Sequence, residues 1–122
     1  MKLGDTFLMP TPGHSLDHLW ILISEPATHH GTFVIVNITT DVLRAGNDCE
    51  LNQGDHRFVN QKSYVNYADA MEIDPAKEEC IQGLILSKKI TPHDHLDDPV
   101  IQRIVAAAKK SKALPVKLRK YL

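Results

Sequence analysis

Two histidines carry the first chemical signal in this chain. His18 stands at the mouth of an apolar run beside Asp17, and His56 follows Gly54-Asp55 in a turn. An imidazole titrates near pH 6.5, so it can take up and return a proton close to neutrality, as a general acid or base must. Arg57 and Lys62 bring positive charge nearby in sequence, and Thr39, Ser63, Tyr64 and Tyr67 bring hydroxyl donors. Such groups suit a reaction in which one proton is removed, another is delivered, and developing negative charge is held. His18, His56, Lys62 and Thr39 form the candidate catalytic set. Arg57, Ser63, Tyr64 and Tyr67 form the candidate substrate-binding set.

Each of these residues also has a plainer role. His18 can be an edge-of-core histidine satisfied by Asp17, since polar groups at strand ends need partners whether or not they react. His56 serves equally well as the anchor of a Gly-Asp turn. Tyr64 and Tyr67, three apart on a strand, face opposite ways, so at most one lines a site. Thr39-Thr40 also reads as the fraying end of a strand. His29-His30 and His93-x-His95 lack the separated Cys/His pairs of a structural zinc site. Cys49 and Cys80, thirty-one positions apart, have no base beside them and read as reduced thiols. Gly54 and Gly83 stand alone, so no Gly-rich phosphate loop is present. Neither a metal nor a cofactor is expected.

The elements that must position these side chains follow from the apolar pattern, which changes character near residue 75. Before that point short apolar segments are broken by turn residues. Asp5 to Met9 predicts a first strand, ended by Pro10-Thr11-Pro12-Gly13; His18 to Ser24 predicts a second and Thr32 to Thr39 a third. The runs Leu19 to Ile23 and Phe33 to Val36 are almost continuously apolar, which implies burial on both faces or at the centre of a curled sheet. Cys49 to Leu51 and Tyr64 to Ile73 predict a fourth and a fifth strand. Beyond Asp74-Pro75 the pattern turns helical, with a short and ambiguous helix over Ala76 to Gly83. Asp98 and Pro99 read as the N-cap and first residue of a helix whose apolar stripe is Val100, Ile101, Ile104, Val105 and Ala108. A last helical turn opens at Pro115 and docks Leu118 and Leu122. The expected fold is mainly β with C-terminal helices: a small β-barrel over residues 1–74 and a helical extension over 75–122, together one domain.

The order of these pieces resembles the MazF/PemK toxins, members of toxin–antitoxin pairs that share an SH3-like barrel with the Kid and CcdB proteins. The pieces that carry the resemblance are Gly4-Asp5-Thr6-Phe7, Gly13-His14, His18 to Ser24, and Val34-Ile35-Val36-Asn37-Ile38-Thr39-Thr40. Gly54 to Val59 and Lys62 to Tyr67 look like a divergent branch of PemK-like proteins. The likeness spans about residues 4 to 74. In the well-studied toxins an arginine stands where the first loop enters the second strand, and Kid-like members carry another on the late strand. This chain has Asp17-His18-Leu19 at the first place and no arginine between Tyr64 and Ile73.

The resemblance implies a metal-independent endoribonuclease acting on single-stranded RNA, a homodimer, and an antitoxin protein as partner. It also brings the first loop against the late strand, so that His18, Thr39 and the Tyr64 region share a groove. The alternative is a non-catalytic SH3-like module that binds protein or RNA.

Charge adds a second theme. The net charge of −1 conceals a segregation: all fifteen acidic residues lie at or before Asp98, and seven basic residues follow with no acid among them. Such a tail is either a solvated helix face or a surface for a negatively charged partner. No apolar run approaches the ~20 residues of a membrane helix. The start lacks the long apolar stretch of a secretory signal, so the expected location is the cytoplasm, with no membrane partner.

Overall fold

The computed structural model describes residues 1–10 and 16–122. Six strands, β1 (Thr6–Pro10), β2 (Asp17–Leu22), β3 (Phe33–Thr39), β4 (Glu50–Leu51), β5 (Ser63–Ile73) and β6 (Thr91–His93), form one curled antiparallel sheet in the order β4-β5-β3-β2-β1-β6. Three helices accompany it: α1 (Val42–Ala45), α2 (Pro75–Leu86) and α3 (Asp98–Lys110), with 3-10 turns at Pro26–His29 and Val116–Tyr121. The expected turn Pro10-Thr11-Pro12-Gly13 and the Gly13-His14 pair fall mostly outside the described residues.

The continuous apolar runs have their predicted consequence, because both faces of the central strands are covered. On one face Leu19, Ile21, Val34, Val36, Val65 and Tyr67 pack with Ile101, Ile104 and Ala108 of α3 and with Leu114 and Leu118 of the tail. On the other, Phe7, Trp20, Leu22, Phe33, Ile35 and Ile73 pack with Ile81 of α2 and with Ile90. Each such side chain, fully buried, contributes about 1.5–3 kcal/mol of hydrophobic stabilisation. The register of β3 on β5 jumps between Ile35 and Asn37, from Met71 to Asn66, so β5 carries extra residues where it bends.

The helix expectations hold with shifted ends. In α2, Asp74 caps by accepting the Lys77 N–H at 2.8 Å, and Pro75 opens the helix, which continues three residues past Gly83. In α3 the cap falls on Asp97 rather than Asp98, which places Asp98 and Pro99 in the first turn, where a carboxylate complements the helix dipole. Leu118 is buried as expected. Gly4, at φ +90°, leads into β1, and a Cβ there would collide with Ile101 Cδ1. The glycine before Asp5 thus allows α3 to approach the start of the sheet.

Two elements went unread in the sequence. α1 is a single turn capped by Asp41, whose carboxylate accepts the Leu43 N–H at 3.0 Å. β6 contains Pro92, which is tolerated because the strand lies at the edge of the sheet and pairs only with β1.

Candidate functional site

At one end of the sheet, the start of β2 (Asp17, His18, Leu19), the end of β3 (Ile38, Thr39, with Thr40 after it) and the start of β5 (Ser63) open into a groove of about 500 Å³. The 52–62 loop adds Arg57, Phe58, Asn60 and Gln61 to the lining, and His93 of β6 completes it. Four of the residues singled out by sequence therefore meet here from separate elements: His18, Thr39, Arg57 and Ser63.

Strand alternation determines how they meet. Leu19 and Ile38 belong to the α3-side core, and Trp20 to the opposite core. Two residues from Trp20 and Asn37, which are paired, stand His18 and Thr39 on the same face as that pair. Thr39 pairs in turn with Tyr64. The groove therefore straddles the sheet end, with Leu19, Ile38 and Ser63 on one side of the rim and His18 and Thr39 on the other. Beside them Asn37 and Asn66 are paired and buried. Asn37 Nδ2 reaches Asp69 Oδ2 at 3.5 Å, and Arg44 of α1 bonds the same oxygen at 2.9 Å.

His56 lies outside the lining. It is 6% exposed, and both of its ring nitrogens are engaged. Nδ1 accepts the Phe58 N–H at 2.9 Å, which puts the proton on Nε2; that nitrogen lies 2.7 Å from the Asp94 carbonyl and 3.1 Å from Thr6 Oγ1. The ring thus ties the 52–62 loop to β1 and to the residue after β6, across the open side of the curled sheet. Burial holds its pKa below the ordinary value, with the backbone bond to Asp94 opposing. The turn-anchor role is the one this geometry serves.

Lys62 is also outside the lining. It is exposed, its ammonium lies 3.2 Å from Glu50, and that carboxylate raises its pKa. Tyr67 is fully buried and donates its hydroxyl to the Ile104 carbonyl at 2.6 Å, while burial raises its pKa. It is a core residue joining β5 to α3. Tyr64, half-buried, alternates onto the opposite face, as the three-residue spacing requires.

Sequence reading passed over Phe58, Asn60, Gln61 and His93 as groove residues. His93 drew notice only in the His93-x-His95 pair weighed for metal binding, yet its ring lies 5.7 Å from Phe58 and 5.5 Å from His56. Its Nδ1 is buried without a partner among the described residues. Cys49 is buried and its thiol pKa is raised by that burial, which leaves it protonated and unreactive; Cys80 is exposed and free. Among the described residues no group of three His, Cys, Asp or Glu side chains is arranged to hold a metal ion, and no helix is long and apolar enough to cross a membrane.

As it stands, the groove offers two imidazoles, a guanidinium, the Asp17 carboxylate, several hydroxyls and amides, and one half-exposed aromatic ring. Such groups can exchange a proton near neutrality and hold developing negative charge. No family model matches the sequence, and no curated protein matches it.

Proposed function

We propose that this protein is a PemK/MazF-like, SH3-type barrel that binds single-stranded RNA in the groove at the β2/β3/β5 end and cleaves it without a metal. The observation that carries the reading is the convergence of His18, Thr39, Arg57 and Ser63 on one opening. In the proposed reaction His18 takes the proton of a 2′-hydroxyl, and the freed oxygen attacks phosphorus to form a 2′,3′-cyclic phosphate. The bond to the 5′-oxygen breaks, and that oxygen leaves with a proton from His93, which also lines the groove. Arg57 holds the charge that builds on the phosphorane, with Thr39 and Ser63 donating to its oxygens. Phe58, 41% exposed at the groove, offers a face on which a base can stack. A homodimer, an antitoxin-type partner and a cytoplasmic location belong to the same reading.

A second reading, a groove that binds RNA without cutting it, is favoured by one observation: His56 is sealed into the clasp and unavailable as the second acid–base group. One experiment separates the two. Wild type, His18→Ala and Arg57→Ala are incubated with a mixed RNA pool, cleavage ends are mapped, and binding is measured in parallel. Cleavage predicts cyclic-phosphate ends from wild type and a loss of about 100-fold or more in His18→Ala. Binding without ends in all three proteins selects the second reading. RNA affinities unchanged by Arg57→Ala would remove RNA from this groove altogether.

A further inference from the structure

The tail after Asp98 holds seven cations, and the structure divides them into two kinds. Arg103 and Arg119 are engaged in the fold. Arg103 bonds Asp55 at 2.6 Å and the Glu50 carbonyl at 3.4 Å. Arg119 donates to the carbonyls of Lys109 and Ser111, closing the C-terminal end of α3. The other five, Lys109, Lys110, Lys112, Lys117 and Lys120, are all exposed, and none forms an ion pair among the described residues.

This separation is not forced by a shortage of acids nearby. Asp48 and Glu72 both reach the tail, yet Asp48 accepts from the Ser111 hydroxyl at 2.6 Å and Glu72 from the Tyr121 hydroxyl at 2.9 Å. On an ordinary solvated helix, acids three or four positions away relieve such repulsion. Here none follows Asp98. Five like charges within twelve residues repel one another, and a polyanion laid across them would relieve that repulsion.

We infer that the exposed lysines of the C-terminal tail form a second RNA-backbone surface, leading away from the groove end of the sheet, on which the same single strand continues. The inference rests on the RNA reading above. The tail runs along β5 from one end to the other. Ser111, between Lys110 and Lys112, bonds Asp48 beside β4, whose Glu50 pairs with Tyr64 at the end of β5 where the groove opens, whereas Tyr121 bonds Glu72 near the other end of β5 and packs against His29 just before β3. The seven residues of β3 separate those two ends by about 20 Å at ~3.3 Å per residue. A nucleic acid fits the surface better than an acidic protein does. Lysine ammoniums on flexible stems suit phosphates bound without sequence preference.

The test compares wild type, a five-site Lys→Gln variant (Lys109, Lys110, Lys112, Lys117 and Lys120) and Arg57→Ala. Each is titrated across a salt series with a short single-stranded RNA and with one several times longer. Circular dichroism checks that the surface variant keeps its fold. The five-site variant should bind the long RNA about tenfold or more weakly at low salt, with the log–log salt slope reduced by about 0.7 for each phosphate no longer neutralised. Its affinity for the short RNA should be little changed, whereas Arg57→Ala should weaken both. An unchanged slope on the long RNA in the five-site variant would overturn the surface while leaving the groove standing. A normal effect of the lysines with none of Arg57→Ala would do the reverse. Selective loss of binding to poly-glutamate with RNA binding intact would also overturn the inference, in favour of an acidic protein.

Discussion

His56 and Arg57 are neighbours in the chain and lie in opposite kinds of surroundings. The histidine is closed into a clasp with Thr6 and Asp94, and the arginine lines an open groove. The clasp and the rim thus share one loop but respond to different physics. In the clasp, desolvation makes every unmet polar group expensive, so each nitrogen of His56 is engaged and its proton is fixed. At the rim, water can replace a lost partner, so side chains there can exchange the partners they have for a ligand at small cost. A titratable residue in a loop is therefore informative about function only after its partners are known.

The sharpest break between the two regions is expected at His18. Replacing it with alanine should lower RNA cleavage by about 100-fold or more, equivalent to about 2.7 kcal/mol of barrier, while shifting unfolding free energy by no more than about 0.5 kcal/mol. Urea denaturation beside a cleavage assay checks both numbers. A large loss of stability would mean that His18 belongs with the clasp, as the satisfied edge-of-core histidine.

The opposite profile is expected one loop away. His56→Ala should cost about 2–3 kcal/mol, because it leaves the Phe58 N–H without an acceptor in a part-buried site and removes the link to Asp94 and Thr6. Protonation should act in the same direction. Since burial lowers the folded-state pKa of His56 below 6.5, the unfolded chain binds the proton more readily than the folded one. Stability should hold above about pH 6.5 and fall as the pH drops from there through the lowered folded value. Denaturation midpoints between neutral and mildly acid pH measure this, and the decline should be smaller in His56→Ala. An equal decline in the variant would assign the effect to another group.

Much of this layout was legible in the sequence, and what was not has physical causes. β2 and β3 announced themselves because Leu19 to Ile23 and Phe33 to Val36 face cover on both sides. α3 did so through the spacing of Val100, Ile101, Ile104 and Ala108. α1 and β6 were too short to show a period, and Pro92 hid the latter. The convergence of His18 with Thr39 was expected only through the resemblance, which brings the first loop against the late strand. The clasp was not, because the partners of His56 lie 50 and 38 positions away, at Thr6 and Asp94. No local pattern marks a histidine whose acceptor is a distant backbone carbonyl. The role of Tyr67 was hidden in the same way, since its partner is the Ile104 carbonyl.

That tyrosine provides a milder test of the sealed side. Tyr67→Phe keeps the ring in the core and deletes one hydrogen bond, so the cost should be about 1 kcal/mol by urea denaturation, with RNA binding unaffected. A change in RNA binding would show that the α3-side core and the groove are mechanically coupled.

The smallest effect is expected at Lys62, and it is the one that defines where the rim ends. Its ammonium pairs with Glu50 at 3.2 Å, with side chains 60% and 42% exposed. Solvent screens an ion pair of that kind, and the entropy of holding two long side chains together offsets most of what attraction remains. Lys62→Ala should therefore unfold in urea at the same midpoint as wild type. Because Lys62 lies outside the groove lining, the variant should also cleave or bind RNA far more like wild type than Arg57→Ala does. If the two variants instead lose RNA affinity equally, Lys62 exchanges Glu50 for phosphate when the substrate arrives, and the 52–62 loop presents two cations rather than one.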